Sequence, residues 1–407
     1  MDHVPYVIIG GGLAGVAAAD AIRRRDKTGQ LMLICAEPHP PYDRVPLSKG
    51  YLLGETERDQ VFLRPARFYE RNQVELVLGQ AATALDLRAR HITLADGRQI
   101  GFEKLLLATG GRPRRLPIPG ADLDGIYYLR NLEDSDAIRS ALQGARRAVV
   151  IGGGFIGCEV ATGLAQLGLA TTVVELTPGV LSLVLDTETS SFIESFLRQQ
   201  GVTVLTNTAA ARFVGEQGRV KAVVTDTGEE IAADLVTVGV GIAPNTELAA
   251  AAGLTVDNGV VVNEYLEAAP NVYAAGDIAR YYSPLLERHL RVEHYDVALQ
   301  HGRVAAANMT GEQRAYTELP YFFSHMGELH IDVVGDMSRR QQSIRRGTLS
   351  LETGFSQFYF ADSLLQAVLC INGDPALLQA ARERITERRP MAHPEACADE
   401  GRDLASL

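Results

Sequence analysis

The sequence lacks tryptophan, is poor in cysteine and has no excess of positive charge. Its four cysteines, Cys35, Cys158, Cys370 and Cys397, lie far apart and form no CxxC pair or Cys/His spacing that would suggest a zinc site. This spacing argues against a zinc site, an iron–sulfur cluster or a disulfide framework. It favours four reduced thiols in a reducing compartment. The net charge of −11 argues against a nucleic-acid-binding protein, which normally presents a basic face.

Long apolar runs are also missing. No segment approaches the ~20 consecutive apolar residues that a transmembrane helix needs. The first residues lead directly into a predicted strand, without the pattern of a signal peptide. We therefore expect a cytoplasmic protein without a membrane span. A chain of 407 residues exceeds what one core usually supports, so two or three domains are predicted.

Two glycine-rich stretches carry the strongest signal. Residues 6–15 (YVIIGGGLAG) and 148–157 (AVVIGGGFIG) each join a short apolar run to glycines at GxGxxG spacing and then to helix-forming residues. This pattern is typical of a buried parallel strand whose tight turn brings a pyrophosphate to the N-terminus of a helix. Two copies predict that one chain binds two dinucleotides.

A carboxylate follows each glycine stretch. Glu37 and Glu175 lie just past the next predicted strand, where a carboxylate can accept hydrogen bonds from a ribose diol. A carboxylate also repels a 2′-phosphate, and residues 173–177 contain no arginine that could bind one. The second site is therefore predicted to prefer NADH over NADPH.

The remaining segments give coarser predictions. Alternating residues predict strands within 74–107, with a turn at Asp96-Gly97, and within 202–239, 355–360 and 364–371. A helix is predicted over 375–387, and the tail from 388 is expected to be frayed. Residues 40–49 (PPYDRVPLSK) are too rich in proline and charge for a core element. They predict either a loop that shapes a ligand cavity or a plain surface connection.

Eight motifs then resemble, in order along the chain, those of a known family. The family comprises the FAD-dependent, NADH-using reductases of small ferredoxins in oxygenase systems: the putidaredoxin, rubredoxin and aromatic-ring dioxygenase ferredoxin reductases. The motifs are GGGLAG, YDRVPLSKGYLLG, LLLATGGRPR, YYLRNLEDSDAI, VVIGGGFIGCEVA, GVGIAPNTELA, NVYAAGDIA and RVEHYDVALQHG. Apoptosis-inducing factor and monodehydroascorbate reductase look like more distant relatives.

The resemblance implies an α/β fold with two Rossmann-like, glutathione-reductase-like dinucleotide-binding domains and a C-terminal α+β domain. Residues 1–112 and 245–315 would form a discontinuous FAD-binding domain, residues 113–244 an NADH-binding domain, and residues 316–407 a C-terminal interface domain. FAD would occupy the first glycine stretch and NADH the second.

The resemblance also assigns cofactor-binding residues by their match to the family's motifs. The residues expected to bind FAD are Gly10, Gly12, Ala14, Gly15, Glu37, Arg44, Lys49, Ala82, Thr109, Gly110, Arg130, Asp277 and Tyr295. Ala82 stands where relatives usually carry valine, and Tyr295 where they often carry tryptophan or valine. The residues expected to bind NADH are Gly152, Gly154, Phe155, Ile156, Gly157, Glu175 and Gly241.

Lys49 and Glu159 are the predicted catalytic pair. By resemblance they meet near the flavin N5 atom, where an ammonium held by a carboxylate can bias the flavin potential and help position the nicotinamide. The alternative is an ion pair that only joins two parts of the fold.

The cysteine pattern also excludes an electron path through sulfur. Related flavoproteins with this architecture use CxxxxC after the first strand pair, CxxC in the nucleotide domain, or one cysteine within the segment matching residues 40–50. None of these is present. Cys35 is expected to be a small buried apolar residue, and Cys158 lacks a partner for redox chemistry. Electrons would therefore leave the flavin directly, which suits a one-electron acceptor.

The C-terminal region departs from the family pattern. Relatives carry Trp-Ser-Asp or Phe-Ser-Asp where this chain has Phe323-Ser324-His325, and tend to carry arginine in place of Leu183. Phe323 could pack near the flavin or be an ordinary core residue, and His325 is expected at the surface. A basic set could dock an acidic ferredoxin or form a solvated loop. The set consists of Arg339, Arg340, Arg345 and Arg346.

The expected function is an FAD-dependent NADH:ferredoxin oxidoreductase. A hydride would pass from NADH to FAD, and single electrons would then pass to a two-iron ferredoxin or a rubredoxin serving an oxygenase. Two alternatives remain: an NADH-dependent reductase of a small molecule, like monodehydroascorbate reductase, or a redox-sensing protein like apoptosis-inducing factor. The sequence does not fix the oligomeric state.

Overall fold

The computed structural model describes residues 2–404, and these form two compact units. The first unit contains residues 1–43, 59–112 and 243–322, and the second contains residues 44–58, 113–242 and 323–407. The C-terminal residues thus belong to the same unit as the second glycine stretch. The three-domain division stays a prediction.

The strands up to the second glycine turn are β1 (Asp2–Ile9), β2 (Leu31–Cys35), β3 (Val74–Leu78), β4 (Ala82–Asp86), β5 (His91–Leu94), β6 (Gln99–Leu107), β7 (Gly111–Pro113), β8 (Ile126–Tyr127) and β9 (Arg147–Ile151). The strands that follow are β10 (Ala170–Val174), β11 (Val202–Leu205), β12 (Ala210–Glu216), β13 (Arg219–Thr225), β14 (Glu230–Ala232), β15 (Leu235–Val238), β16 (Ile242–Pro244), β17 (Val260–Val262), β18 (Glu267–Ala269), β19 (Val272–Ala274), β20 (Ala279–Ser283), β21 (Arg288–Leu290), β22 (Tyr321–Met326), β23 (Leu329–Gly335), β24 (Gln342–Arg346), β25 (Phe355–Ala361) and β26 (Leu364–Ile371).

The α-helices are α1 (Leu13–Arg25), α2 (Gly50–Leu53), α3 (Ala66–Arg71), α4 (Leu132–Ala141), α5 (Phe155–Gln166), α6 (Thr187–Gln199), α7 (Glu247–Ala251), α8 (Tyr295–Met309) and α9 (Pro375–Glu387). Within residues 2–404, no helix combines the length and apolarity needed to cross a membrane.

The first unit is built on a sheet in the order β18-β19-β6-β1-β2-β3, to which the β4–β5 hairpin is added through β5. Strand β1 pairs in parallel with β2 on one side and with β6 on the other. The chain order therefore reverses at the carboxyl end of β1, which is where doubly wound sheets bind ligands. Every residue of β2 is buried, as expected for a parallel strand covered on both faces.

The second unit repeats this arrangement in an all-parallel sheet ordered β11-β10-β9-β15-β8. Its chain order reverses at β9, directly before the second glycine turn. The C-terminal part adds an antiparallel sheet ordered β22-β23-β26-β25-β24, with α9 following its last strand. The predicted α/β fold with two Rossmann-like sheets and a C-terminal α+β part is confirmed.

The segment of residues 40–49 differs from the sequence-based expectation. It contains a 3-10 turn over Val45–Ser48, followed directly by α2. Leu47 is only 1% exposed, and its carbonyl accepts a hydrogen bond of 3.1 Å from Ser135 Oγ. The expectation that this segment is no core element was wrong, because Pro46 lies at the start of a tight 3-10 turn that buries Leu47 directly after it.

The C-terminal tail also differs from the expectation. Cys397 lies in a 3-10 turn over Pro394–Ala398 and is fully buried, and Leu404 is buried as well. The guanidinium of Arg346 donates a hydrogen bond of 2.9 Å to the carbonyl of Arg402. The prediction of a frayed tail was wrong, since apolar residues and this arginine hold the tail in place as far as residue 404.

Candidate active site

The first glycine turn leads from β1 into α1. Gly10 has a φ of +120°, and a Cβ atom there would lie 2.0 Å from the carbonyl oxygen of Ala108. A Cβ atom on Gly15 would lie 2.0 Å from the oxygen of Gly10, whereas one on Gly12 would meet nothing within 4 Å. The outer two glycines thus allow the strands and the helix to approach closely, and Gly12 leaves the space before the helix open.

The second glycine turn has the same construction. Gly152 has a φ of +101°, and a Cβ atom there would lie 2.5 Å from the oxygen of Gly239. A Cβ atom on Gly157 would lie 2.0 Å from the oxygen of Gly152, and one on Gly154 would meet nothing within 4 Å. In both turns, therefore, the first and last glycines allow close backbone contacts, and the middle glycine leaves open space before the helix.

Both helices begin at a glycine. Gly12 is the N-cap of α1 and Gly154 is the N-cap of α5, so neither N-cap residue has a side chain that could cap its helix. The N–H groups at a helix N-terminus and the helix dipole favour a bound anion. Phe155 and Ile156 open α5, and Ile156 is exposed beside this turn. The two turns therefore fit the pyrophosphate groups of two dinucleotides.

The two expected ribose carboxylates lie beside their turns. Tyr42 donates its hydroxyl to Glu37 Oε2. Glu175 accepts hydrogen bonds from the backbone N–H groups of Gly153, at 2.5 Å, and Thr177, at 2.7 Å, and from the Thr177 hydroxyl at 2.6 Å. A carboxylate has about four acceptor positions, so these three donors fix Glu175 while leaving it able to accept one more.

Lys49 and Glu159 form an ion pair in the second unit. Lys49 Nζ lies 2.5 Å from Glu159 Oε2. Lys49 is placed by the 3-10 turn that precedes it, and Glu159 lies in α5, the helix that the second glycine turn opens. The side chain of Glu159 is 3% exposed and that of Lys49 is 22% exposed. The carboxylate is thus buried, whereas the ammonium keeps an accessible edge.

Two serines complete the surroundings of Glu159, and the sequence analysis did not assign them a role. Ser48 Oγ donates to Glu159 Oε2 at 2.7 Å, and Ser324 Oγ donates to Glu159 Oε1 at 2.6 Å. Both hydroxyl groups are buried with the carboxylate. The available signal was their position inside the quoted motifs, Ser48 beside Lys49 and Ser324 between Phe323 and His325. Together they anchor both oxygens of Glu159 and so fix the position of the ammonium.

Three of the residues expected to bind FAD lie in the second unit rather than the first: Arg44, Lys49 and Arg130. Arg44 Nη1 donates to the carbonyl of Arg130 at 2.7 Å. The backbone N–H of Arg130 donates to Asp134, at the start of α4, at 2.9 Å. These contacts fix the backbone around Arg130 relative to the start of α4.

The other residues expected to bind FAD lie in the first unit. Thr109 Oγ1 donates to the carbonyl of Asn245 at 3.0 Å, and the carbonyl of Gly110 accepts from the N–H of Asn245 at 2.9 Å. Asp277 lies in a 3-10 turn directly after β19. Tyr295 begins α8, as predicted. Ala14 lies in the first turn of α1 and Ala82 begins β4, paired with Leu94.

Gly241, the remaining residue expected to bind NADH, lies just past the carboxyl end of β15. It has a φ of +87°, and its carbonyl accepts a hydrogen bond of 2.9 Å from the backbone N–H of Arg114. The loop after β15 is thereby held at the same end of the sheet as the second glycine turn.

The departure from the family's Phe-Ser-Asp motif, His325, lies on β22. His325 is exposed, as predicted, and its ring lies 4.3 Å from that of His330 and 5.7 Å from that of Phe323. Partial burial, then His330 and Lys49, lower the pKa of His325 below its usual value. Phe323 is half-buried. These surroundings therefore favour the neutral form of His325 beside the ion pair.

The cysteines are buried and unpaired. Burial raises the pKa of Cys35 to about 12 and raises that of Cys158 further still. A thiol acts as a nucleophile only as the thiolate, so both groups are inert near neutral pH. No cluster of metal-ligating side chains occurs among the residues that the structure describes.

The family described as pyridine nucleotide-disulphide oxidoreductase matches residues 4–302, and the reductase C-terminal family matches residues 321–407. The chain belongs to the pyridine nucleotide-disulphide oxidoreductase family. Members of this family use FAD and NAD(H), in agreement with the two glycine turns.

Individual relatives extend over almost the whole chain. Rhodocoxin reductase of Rhodococcus erythropolis is 37% identical over 98% of this chain and 93% of its own length. Putidaredoxin reductase CamA of Pseudomonas putida is 36% identical over 98% of this chain and 96% of its own length. The predicted membership of the ferredoxin reductase group is confirmed.

Two solved structures share the fold over nearly the full length. The ferredoxin reductase for the CYP199A2 system from Rhodopseudomonas palustris has a TM-score of 0.94 at 34% identity, covering 100% of this chain and 99% of its own. The covalent putidaredoxin reductase–putidaredoxin complex has a TM-score of 0.94 at 35% identity, covering 99% of this chain and 98% of that one.

Proposed function

We propose that this protein is an FAD-dependent reductase that takes electrons from NADH and passes them singly to a small iron–sulfur protein, a two-iron ferredoxin or a rubredoxin, which serves an oxygenase. The observation that carries the proposal is the pair of matching glycine turns in a family that uses FAD and NAD(H). Relatives named as reductases of rhodocoxin, putidaredoxin and rubredoxin support the choice of acceptor. The inert, unpaired cysteines support a path without sulfur.

In this proposal the first unit binds FAD and the second binds NADH. The N-terminus of α1 would hold the FAD pyrophosphate and Glu37 its ribose, while the N-terminus of α5 would hold the NADH pyrophosphate and Glu175 its ribose. Bound FAD would accept two electrons together and release them one at a time. The domain limits of 1–112 with 245–315, 113–244 and 316–407 are part of the same proposal.

The role proposed for Lys49 follows from its surroundings. Two serine hydroxyl groups hold Glu159, and Glu159 in turn holds the ammonium, so that Lys49 presents a fixed positive charge rather than a mobile one. A positive charge fixed before the reaction stabilises developing negative charge without reorganisation at the moment of reaction. Lys49 would therefore aid the transfer of a hydride, with Glu159, Ser48 and Ser324 as positioning residues.

The preference for NADH is proposed from Glu175. Its buried carboxylate would be placed beside the 2′-phosphate of NADPH, and a like charge in such a position is strongly unfavourable. We expect kcat/KM for NADH to exceed that for NADPH by at least about tenfold, which corresponds to ~1.4 kcal/mol. Equal efficiencies with the two nucleotides would contradict this role of Glu175.

The experiment that tests the function is stopped-flow reduction of the holoenzyme by NADH, followed by mixing with a panel of acceptors. Rapid turnover only with a ferredoxin or rubredoxin supports the proposal. Rapid turnover with monodehydroascorbate would indicate a small-molecule reductase instead. Slow turnover with a persistent long-wavelength absorbance would indicate a redox-sensing protein.

We also infer a cytoplasmic location. The four cysteines are free thiols, which is typical of a reducing compartment. Cell fractionation with an antibody to the protein tests this location directly, and recovery outside the cytoplasmic fraction would contradict it.

A further inference from the structure

One loop connects the NADH-binding turn with the C-terminal sheet. The loop, here called the clamp loop, comprises residues 176–186 and joins Glu175 to α6 in the second unit. Near its middle, the N–H of Leu181 donates a hydrogen bond of 2.9 Å to the carbonyl of Gly153 in the second glycine turn. The next residue, Ser182, donates from Oγ to Thr177 Oγ1 at the start of the loop, at 2.8 Å, and Thr177 in turn bonds Glu175. This half of the clamp loop is thus tied to the expected nucleotide site.

The other half of the clamp loop is held by the C-terminal sheet. Arg340 donates from Nη1 to the carbonyl of Val184 and from Nη2, at 3.3 Å, to the carbonyl of Leu185. The Tyr359 hydroxyl donates to Asp186 Oδ2 at 3.2 Å. The Arg340 guanidinium also lies over the Tyr359 ring, 5.7 Å from its centre.

Asp186 links these contacts to the next helix. It is the N-cap of α6, and its Oδ1 accepts a hydrogen bond of 2.9 Å from the N–H of Thr189. Farther along, Arg345 forms an ion pair with Glu188 in the first turn of α6. The end of the clamp loop and the start of α6 are therefore bonded to β24, β25 and the segment before them.

The part of the clamp loop between these anchors presents an apolar side chain outward. Leu183 is 83% exposed, while its neighbours Leu181 and Leu185 are buried. Ile156 and Leu176, beside the same glycine turn and carboxylate, are also exposed. Large apolar side chains gathered at the surface commonly mark a ligand site. Leu183 is thus held outward, by anchors on both sides, at the edge of the expected nucleotide site.

These contacts argue against the ferredoxin-docking role that the sequence suggested for the arginines of this region. Docking of an acidic ferredoxin needs guanidinium groups free to meet the partner, yet Arg340, Arg345 and Arg346 all bond to groups of this chain. Two neutral carbonyl groups bound by one guanidinium fix a loop, because the planar fork of donors permits only one orientation. Arg339, by contrast, is exposed and makes none of these contacts.

We propose that Arg340, supported by Tyr359, is a positioning residue for NADH, because it holds the clamp loop in the conformation that presents Glu175 and Leu183 to the nucleotide. This inference rests on the proposed function and adds to it a route by which the C-terminal sheet sets the affinity for NADH.

The test compares Arg340→Ala with Arg339→Ala in the FAD-loaded enzyme. We measure the KM for NADH with ferricyanide, a small acceptor that needs no docking site, and the Kd for NAD⁺ by calorimetry. Hydrogen bonds from a charged donor are stronger than those between neutral groups, and a part of their effect is transmitted to the nucleotide. For Arg340→Ala we expect KM and Kd to rise about 5- to 20-fold with kcat nearly unchanged, and for Arg339→Ala we expect changes below about twofold.

Two further variants and one direct probe keep the test decisive. Arg340→Lys should recover part of the affinity, since an ammonium can reach only one carbonyl at a time. Tyr359→Phe, which preserves the core, should raise Kd about two- to fivefold. Hydrogen–deuterium exchange over residues 176–186, measured without nucleotide, should be faster in Arg340→Ala than in Arg339→Ala.

The outcomes separate the inference from the function on which it rests. If wild-type protein neither binds NAD⁺ nor oxidises NADH, the proposed function fails. If wild-type protein does both, and if Arg340→Ala and Tyr359→Phe leave Kd and loop exchange unchanged, the positioning role is overturned. A higher KM for ferredoxin with an unchanged KM for NADH would also overturn it, in favour of docking.

Discussion

Replacement of Lys49 by methionine tests whether the buried ion pair acts in the reaction or only in folding. Methionine preserves most of the length and packing of the lysine stem but removes the ammonium. The Glu159 carboxylate, 3% exposed, would then retain only the hydroxyl groups of Ser48 and Ser324. An unpaired buried charge costs roughly 3–5 kcal/mol. We expect a loss of about 3 kcal/mol in the free energy of unfolding, the lower limit of that range, because two hydroxyl donors remain.

The reverse replacement should cost less, because the two side chains differ in exposure. Glu159→Gln retains a group that can bond both serines, and the Lys49 ammonium, 22% exposed, can turn toward water. The expected loss is about 1 kcal/mol, the scale of a hydrogen bond or a partly exposed ion pair. The double variant Lys49→Met with Glu159→Gln removes both charges and should be more stable than Lys49→Met alone. The cycle should give a coupling of about 1–3 kcal/mol.

The kinetic measurement is stopped-flow reduction of the flavin by NADH, with bound FAD quantified from the absorbance of the same samples. Loss of a fixed charge or a small misplacement at a reacting centre costs up to about 100-fold in rate. We expect Lys49→Met to reduce the rate about 10- to 100-fold with FAD still bound. The double variant should regain stability without regaining rate. If its rate recovers together with its stability, the ion pair is only architectural and the catalytic role is refuted.

Two further predictions concern the first unit and the glycine turns. Gly10→Ala should abolish FAD binding, whereas Gly152→Ala should weaken NAD⁺ binding and leave FAD in place, because each new Cβ atom would collide with a carbonyl group at the end of its own sheet. The FAD content of each variant and a calorimetric NAD⁺ titration measure the two effects. Equal losses of FAD in the two variants would contradict the assignment of the turns. Burial lowers the pKa of His301 to about 3, so that unfolded chains take up its proton below a pH of about 6.5 while folded chains do not. The neutral histidine should therefore leave the free energy of unfolding unchanged above a pH of about 6.5 and lower it by about 2 kcal/mol at pH 5. Urea unfolding at the two pH values measures this loss, which should be absent from His301→Asn.

The features that the sequence predicted correctly depend on short stretches of chain. A glycine turn between a strand and a helix is set largely by neighbouring residues, because Gly15 is needed for a close contact with the oxygen of Gly10 inside one strand–turn–helix unit. The helix predicted around residues 375–387 is present as Pro375–Glu387, where Asp374 caps it and Pro375 suits its first position. Local chemistry of this kind can be read without knowing the remainder of the fold.

The features that the sequence did not predict depend on residues far apart in the chain. Ser48 and Ser324 approach the same carboxylate from two segments, and nothing in either segment shows that they meet. The arginine pairs showed a local positive charge but not its partners, and Arg340 proved to bind carbonyl groups near residue 184. The burial of the C-terminal tail was not predicted for the same reason, because the few apolar residues that pack there lie among prolines and charged residues.

A single helix joins the two parts of the candidate site. Gly154 caps α5 where the dinucleotide phosphates are expected, and Glu159 lies farther along the same helix. Five residues of α-helix rise about 7.5 Å, and hydrogen bonds along the helix make that distance rigid. A shift of α5 would therefore move the nucleotide and the Lys49 ammonium together and preserve their separation. The position of the ammonium relative to α5 depends on the contact between Lys49 and Glu159, because Lys49 comes from a separate segment of the chain. For this reason we expect substitutions there to change the rate of hydride transfer more than the affinity for NADH.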